Sequence, residues 1–140
     1  MRLAILDTNI IISAGIQPRG APFSIVMDWV LDRLVQLITC PSIVSEYREV
    51  ARREKFKRYG FPPVWLESVI AESLQLPEPE PWPYRCPDPK DAVFLSLANI
   101  SGAWLVTGNL KHYPENVCQG VRVLSPLEYL AHLRAEAVHP

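Results

Sequence analysis

Three carboxylates occupy positions where the surrounding pattern favours apolar side chains. The first, Asp7, ends the apolar run 3–6 and stands three residues before a second apolar run, 10–12. An acid between two buried segments can cap the helix that begins at Thr8, or it can face a ligand. Asp7 alone does not separate these two interpretations.

The other two carboxylates lie on predicted helices. Glu46 stands three residues after Ile43 and four before Val50, so all three share one helical face. Asp91 leads a similar apolar stripe, whose members follow at three, four and seven residues: Phe94, Leu95 and Ala98. Asp91 can instead serve as a capping acid at a helix N-terminus.

A cluster of these three acids would need a counter-charge, because buried carboxylates must find a cation or take up a proton. Two carboxylates about 5 Å apart repel by about 3 kcal/mol at an effective dielectric of about 20. All-oxygen ligands, with no histidine or cysteine near them in the sequence, favour Mg²⁺ or Mn²⁺ over zinc. Asp7, Glu46 and Asp91 therefore predict a metal site that acts on phosphodiesters.

The scaffold that would bring these side chains together is an α/β fold. Strands alternate with helices, which predicts a mostly parallel sheet with helices on both faces. Ligand sites in such sheets form beyond the carboxyl ends of the strands, where Asp7, Thr107 and Asn109 are expected to meet. The predicted strands are 2–6, 37–39, 103–107 and 121–124. Two predicted helices span 23–34 and 62–74. Three more begin at identifiable caps, namely Ser42, Asp88 and a capping box at 125–128.

Composition describes an ordinary globular protein of one domain. The chain has 140 residues and a net charge of −1, so no global charge draws it to polyanions. Six prolines between residues 77 and 89 predict an extended connection inside a single domain, 1–140. Three scattered cysteines, no signal peptide and no uninterrupted apolar span predict a cytoplasmic protein without a membrane segment.

A local basic segment follows the helix that carries Glu46. It contains Arg52, Arg53, Lys55 and Lys57. Such a run is either a solvated face or a surface that contacts RNA phosphates, and the sequence leaves both open.

Four motifs together resemble the PIN-domain ribonucleases, including the VapC-like toxins of toxin–antitoxin pairs. They are "LDTNIIISA", "PSIVSEYREV", "CPDPKDAVFLSLA" and "WLVTGNLKHYP", in that order along nearly the whole chain. The final segment "LSPLEYL" resembles the closing helix of one subgroup of these toxins. The resemblance implies a three-layer α/β/α PIN-like domain that uses Mg²⁺ or Mn²⁺ to cleave single-stranded RNA.

The resemblance also assigns roles to particular residues. It implies that Asp7, Glu46 and Asp91 are catalytic and bind metal, and that the fourth metal position falls on Asn109, where many members have aspartate. Thr8, Asn9 and Thr107 would support the site by hydrogen bonding. A carboxamide can still ligate through its oxygen, but the departure weakens the second-metal side of the site.

Partners are implied in the same way. The resemblance implies an antitoxin protein and a homodimer. The broad apolar face around Ile25 and Trp29 is either buried more deeply in the core, which is the more common case, or it contacts a partner, which would support the dimer. Two alternatives stay open. With Asn109 in place of an acid, the domain can be a catalytically weak or inactive module that binds RNA or protein. A haloacid-dehalogenase-like phosphatase is less consistent, because Asn9 stands where that family needs a second aspartate.

Overall fold

The computed structural model describes residues 2–60 and 64–138, around a five-stranded sheet. The strand order is β3-β2-β1-β4-β5, and every described pair is parallel. Helices flank this sheet, so the predicted α/β/α fold class is confirmed. The strands are β1 Arg2–Leu6, β2 Val35–Thr39, β3 Leu74–Gln75, β4 Trp104–Val106 and β5 Val123–Leu124.

Eight α-helices are present in the described part of the chain. They are α1 Thr8–Ile16, α2 Ala21–Ser24, α3 Pro41–Ala51, α4 Glu54–Lys57, α5 Trp65–Glu72, α6 Ala92–Ser101, α7 Glu115–Cys118 and α8 Pro126–Val138. Within residues 2–60 and 64–138, none of the helices combines the length and the apolarity needed to cross a bilayer.

The central strand β1 brings two functional segments side by side. Its residues Ala4, Ile5 and Leu6 are fully buried, as expected for a strand with neighbours on both edges. Leu6 pairs with Val106 of β4, and the backbone N–H of the next residue, Asp7, donates a hydrogen bond to the Val106 carbonyl at 2.9 Å. The residues that follow β1 and β4 therefore meet at one edge of the sheet.

The predicted helix 23–34 is shorter and less regular than its apolar period suggests. α2 ends at Ser24 and continues into a π-helical segment, Ile25–Val30. Ile25 is fully buried in the chain's own core, and Trp29 is half-buried against it. The apolar face that favoured a homodimer is therefore mostly covered within one molecule, and it no longer supports a dimer.

Two predicted helix starts have different outcomes. The capping box of α8 is confirmed, because the Ser125 N–H donates to Glu128 Oε1 at 2.9 Å and the Glu128 N–H donates to Ser125 Oγ at 3.1 Å. Ser42 is not the cap of α3. The helix begins at Pro41 after Cys40, and the Ser42 N–H donates instead to Glu78 Oε1 at 2.9 Å. The predicted helix 62–74 corresponds to α5, whose predicted start at 62–63 lies outside the described residues. Its predicted end is wrong, because α5 ends at Glu72 and Leu74 begins β3.

The proline-rich connection runs as an extended segment, as predicted, with no helix or strand in the described stretch between Gln75 and Pro89. It is fastened to the fold at intervals. The Trp82 indole N–H donates to the Val117 carbonyl at 2.8 Å, and the Ser96 hydroxyl donates to the Glu80 carbonyl. This anchoring fixes the approach of the chain to Asp88 and Asp91.

Candidate active site

Asp7 is held at the carboxyl end of β1 by three donors. Its Oδ1 accepts from the Thr8 backbone N–H at 2.7 Å, which makes Asp7 the N-cap of α1. Its Oδ2 accepts from the Thr107 hydroxyl at 2.8 Å and the Tyr113 hydroxyl at 2.9 Å. Burial still raises the pKa of Asp7, because lost solvation outweighs these hydrogen bonds. The capping interpretation of Asp7 is confirmed, and Asp7 also lines a cleft, so its role toward a ligand stays a prediction.

Glu46 lies half-buried on α3 and is connected to Asp7 through Thr8. The Thr8 hydroxyl donates to Glu46 Oε2, while the Thr8 backbone N–H donates to Asp7. Burial raises the pKa of Glu46, and the negative charge of Asp7 raises it further. The start of α1 therefore joins two carboxylates that disfavour each other's ionisation.

Asp91 sits at the end of a short 3₁₀ turn, Pro89–Asp91, that leads into α6. Its side chain accepts no cap hydrogen bond from the described backbone. The cap of the turn is Asp88, whose Oδ1 accepts from the Lys90 N–H at 3.0 Å. Asp91 therefore occupies the N-cap position of α6 without forming the hydrogen bond of a capping box. Burial, followed by the negative charges of Asp7 and Asp88, raises the pKa of Asp91 to about 6.

His112 is a site residue that the sequence interpretation missed. It ends a 3₁₀ turn, Leu110–His112, that follows β4, and its Nδ1 lies 2.9 Å from Asp91 Oδ2. No histidine lies near these acids in the sequence, but the fold brings His112 to Asp91. The sequence "TGNLKHY" could have indicated His112 as a site residue, because it stands only three residues after Asn109 in the loop predicted to reach the site.

Asn109 is connected to the carboxylates through His112. Its Nδ2 is 2.8 Å from His112 Nε2, and its backbone N–H donates to Thr107 Oγ at 3.1 Å. The same loop is tied to α1, because the Gly108 N–H donates to Asn9 Oδ1 at 3.0 Å. A side chain at Gly108 would start 3.3 Å from that Asn9 oxygen, so glycine allows this close approach. Asn9 and Thr107 therefore hold the loop by hydrogen bonds, and Asn9 also lines the cleft described below.

These residues surround a cleft of about 380 Å³. Asp7, Glu46 and Asp91 all line it, so the structure brings the three sequence-predicted acids together. Of the four basic residues, Arg53 and Lys55 line the cleft, whereas Arg52 and Lys57 lie outside its described lining. The remaining lining residues are Thr8, Asn9, Ile12, Ser13, Val50, Phe56, Asp88, Lys90 and His112.

The donor set in this cleft fits a divalent metal ion. Asp88, Asp91 and His112 each offer one ligand atom, and these atoms lie within 4.8 Å of one another. The Asp91 Oδ2 atom is buried and has no aligned hydrogen bond among the described residues, although His112 approaches it at ion-pair distance. Nearby acids with burial-raised pKa values supply negative charge that a cation would neutralise. This group of three potential ligands shares only Asp91 with the three acids that the sequence predicted.

The fold and this site place the chain in a known family. A sequence model of the PIN domain matches residues 4–111, and the chain belongs to the PIN domain family, whose members are generally nucleases. A comparison with curated protein sequences gives no significant match.

Solved structures share the fold at low sequence identity. VapBC2 from Rickettsia felis, bound to a promoter DNA fragment, is 14% identical with a TM-score of 0.60, covering 87% of this chain and 96% of that one. FitAcB from Neisseria gonorrhoeae is 20% identical with a TM-score of 0.60, covering 89% and 98%. PAE2754 from Pyrobaculum aerophilum is 15% identical with a TM-score of 0.57, covering 96% and 90%. At these identities the similarity shows the fold.

Proposed function

We propose that residues 1–140 form a single PIN domain that hydrolyses phosphodiester bonds in single-stranded RNA with Mg²⁺ or Mn²⁺. The observation that carries this proposal is the convergence of Asp7, Glu46 and Asp91 on one cleft, each with a burial-raised pKa. Maintaining such charges without a cation is costly, which makes the cluster hard to explain as structural.

A divalent ion held by these carboxylates would neutralise phosphate charge and make a bound water more acidic. The protein supplies positioning. Thr107 and Tyr113 fix one oxygen of Asp7, so its orientation is set before substrate binds. Glu46, with its pKa raised by burial, is suited to accept a proton from an attacking water.

Substrate binding is assigned to the basic side of the cleft. Arg53, Lys55 and Lys90 line it and can neutralise the phosphates of a nucleic acid strand. The half-buried ring of Phe56 lies beside them, which suits an unpaired base better than a duplex. Single-stranded RNA is therefore the proposed substrate class.

The biological role proposed is the toxin of a toxin–antitoxin pair, with an antitoxin protein as partner. Support comes from the motif resemblance to VapC-like toxins and from the shared fold with VapBC2 and FitAcB. A cytoplasmic location is also proposed, because the cysteines Cys40, Cys86 and Cys118 are all free thiols. The homodimer remains a prediction from the family resemblance.

The alternative function is a catalytically weak or inactive PIN module that binds RNA or protein. One observation favours it. Asn109 contributes no carboxylate, and its carboxamide contacts His112 instead of facing the cleft. Such a module would bind RNA through the same basic side chains without cleaving it.

The decisive experiment is cleavage of a labelled single-stranded RNA with Mn²⁺, Mg²⁺ or chelator. We expect metal-dependent cleavage that Glu46→Gln reduces by about 100-fold or more. Glu49→Gln is the matched control, since Glu49 is exposed on the same helix, and it should retain activity. RNA binding without cleavage would favour the alternative module, and hydrolysis of a small phosphomonoester instead would favour a phosphatase.

A further inference from the structure

We propose that Asp88, Asp91 and His112 form a mixed oxygen–nitrogen metal subsite that prefers first-row transition ions over Mg²⁺. This inference rests on the metal site of the proposed function and deepens it. Carboxylate and water ligands suit Mg²⁺ and Mn²⁺, whereas imidazole suits ions such as Co²⁺, Ni²⁺ and Zn²⁺. A single histidine among the ligands therefore changes which ions bind well.

The contact between His112 and Asp91 has the geometry of two ligands on one ion. Their Nδ1 and Oδ2 atoms are 2.9 Å apart without an aligned hydrogen bond. Two donors about 2.1 Å from an octahedral ion, at right angles, would be about 3.0 Å apart. With the donor atoms of all three residues within 4.8 Å, a small side-chain adjustment would complete the set.

Asp91 provides an independent reason to place a cation here. The residue is 8% exposed and lines the cleft, and its buried Oδ2 has no aligned hydrogen bond among the described residues, although His112 Nδ1 approaches it at 2.9 Å. A buried carboxylate oxygen whose nearby donor is poorly aligned is costly unless a cation meets it. His112 is 40% exposed at its side chain, so an ion can reach the pair from the solvent side.

Asn109 is the positioning residue of this subsite. As placed, its Nδ2–H donates to His112 Nε2 at 2.8 Å, which leaves the ring proton on Nδ1, facing Asp91. Rotation of the carboxamide by half a turn presents its oxygen to Nε2–H and frees the Nδ1 lone pair for a metal. An asparagine satisfies His112 in both states, which gives a reason for its presence where the family resemblance implies an acid.

The test is calorimetric titration of tag-free, chelator-treated protein with Ni²⁺ and with Mg²⁺. Wild-type protein should bind Ni²⁺ at least about tenfold tighter than Mg²⁺. His112→Gln should weaken Ni²⁺ binding by at least about tenfold and change Mg²⁺ binding by less than about twofold. The matched control is His132→Gln, a histidine paired with Glu136 outside the cleft, and it should alter neither affinity.

Two results would overturn the inference: unchanged Ni²⁺ affinity in His112→Gln, or an equal loss for both ions, which would mean that His112 only positions Asp91. If His112→Gln fails to fold, an NMR spectrum of wild-type protein loaded with Co²⁺ still tests whether His112 binds the metal. A ligating imidazole gives a hyperfine-shifted, exchangeable N–H proton signal, and its absence would refute ligation. Asp88→Asn keeps the cap of the turn but removes a negative charge, so it should weaken the binding of both Ni²⁺ and Mg²⁺.

RNA takes no part in these titrations, so the two proposals fail separately. Protein that binds Ni²⁺ through His112 but cleaves no RNA would refute the proposed function alone. Protein that cleaves RNA with Mg²⁺, and whose His112→Gln variant binds Ni²⁺ normally, would refute the mixed subsite alone.

Discussion

The Tyr113 hydroxyl donates a hydrogen bond of 2.9 Å to Oδ2 of Asp7, joining two residues that are 106 positions apart in the sequence. The same oxygen accepts from the Thr107 hydroxyl at 2.8 Å. Two residues that follow β4 therefore hold the carboxylate that follows β1. Both hydrogen bonds lower the pKa of Asp7, whereas burial raises it. Loss of either donor should disturb the charge state of Asp7 as well as its position.

The first prediction is that Tyr113→Phe moves the acidic limb of the pH–rate profile for RNA cleavage to higher pH. Without the phenol, the pKa of Asp7 rises further, so the ionised form appears only at higher pH. We expect a loss of about 1 kcal/mol in unfolding free energy, because Asp7 keeps Thr107 as a donor.

Tyr129→Phe is the control for this variant. Tyr129 is 1% exposed, and its hydroxyl has no hydrogen-bond partner in the described chain, so its removal should leave the pH profile unchanged. Equal pH profiles for wild type and Tyr113→Phe would show that this hydrogen bond does not tune Asp7.

The second prediction concerns the metal-free stability of Asp91→Asn. The folded pKa of Asp91, about 6, lies above its ordinary value of 3.8, so ionisation opposes folding. The wild-type free energy of unfolding should fall as pH rises from about 4 to about 6, and stay lower above that range. Asp91→Asn should remove this fall and be as stable as wild type at pH 8, or more stable by up to about 3 kcal/mol.

Urea unfolding in chelator across that pH range measures the effect. The variant should also lose RNA cleavage. A loss of several kcal/mol at pH 8 would instead mean that Asp91 is needed chiefly for folding, which would contradict the role proposed for it.

Sequence reasoning located the carboxylates but not the side chains that hold them. Glu46 was recognisable because an acid interrupts a helical apolar stripe, and Asp7 because it ends a buried strand. Tyr113 and His112 follow β4 in a loop without periodicity, so nothing in the pattern says which way their side chains point. Their roles depend on tertiary contacts between segments that only the folded chain brings together.

The apolar face around Ile25 and Trp29 was ambiguous in the sequence for a related physical reason. A helical apolar face wider than usual is either exposed to a partner or buried more deeply, and the sequence carries no measure of depth. In the folded chain Ile25 is fully buried in the core, within the π-helical segment Ile25–Val30. The capping box at Ser125 succeeded because it depends on local contacts alone.

The third prediction separates the basic residues by their place relative to the cleft. Arg53 and Lys55 line it, whereas Arg52 and Lys57 lie outside its described lining. Arg53→Gln with Lys55→Gln should weaken RNA binding and reduce the slope of log affinity against log salt by about 1.4, as expected when two phosphate contacts are lost.

Arg52→Gln with Lys57→Gln carries the same charge change and is the matched control. Its effect on the salt slope, measured by fluorescence anisotropy with an inactive Glu46→Gln background, should be clearly smaller. Similar slopes for both double variants would place the RNA path away from the cleft.

The last prediction concerns Asn109→Asp, a substitution that keeps the side-chain shape and adds one negative charge. A carboxylate 2.8 Å from His112 Nε2 can only accept a hydrogen bond, so it favours the tautomer that leaves Nδ1 free for a metal. At pH 8 we expect Mn²⁺ and Co²⁺ to bind up to about tenfold tighter, with RNA cleavage kept or raised and half-maximal at lower metal concentration. Metal-free protein should be less stable, because the new charge lies near the acids Asp7 and Asp91. If metal affinity and cleavage both stay at wild-type values, Asn109 has no part in the site, and the alignment of "VTGN" with the fourth metal position is wrong.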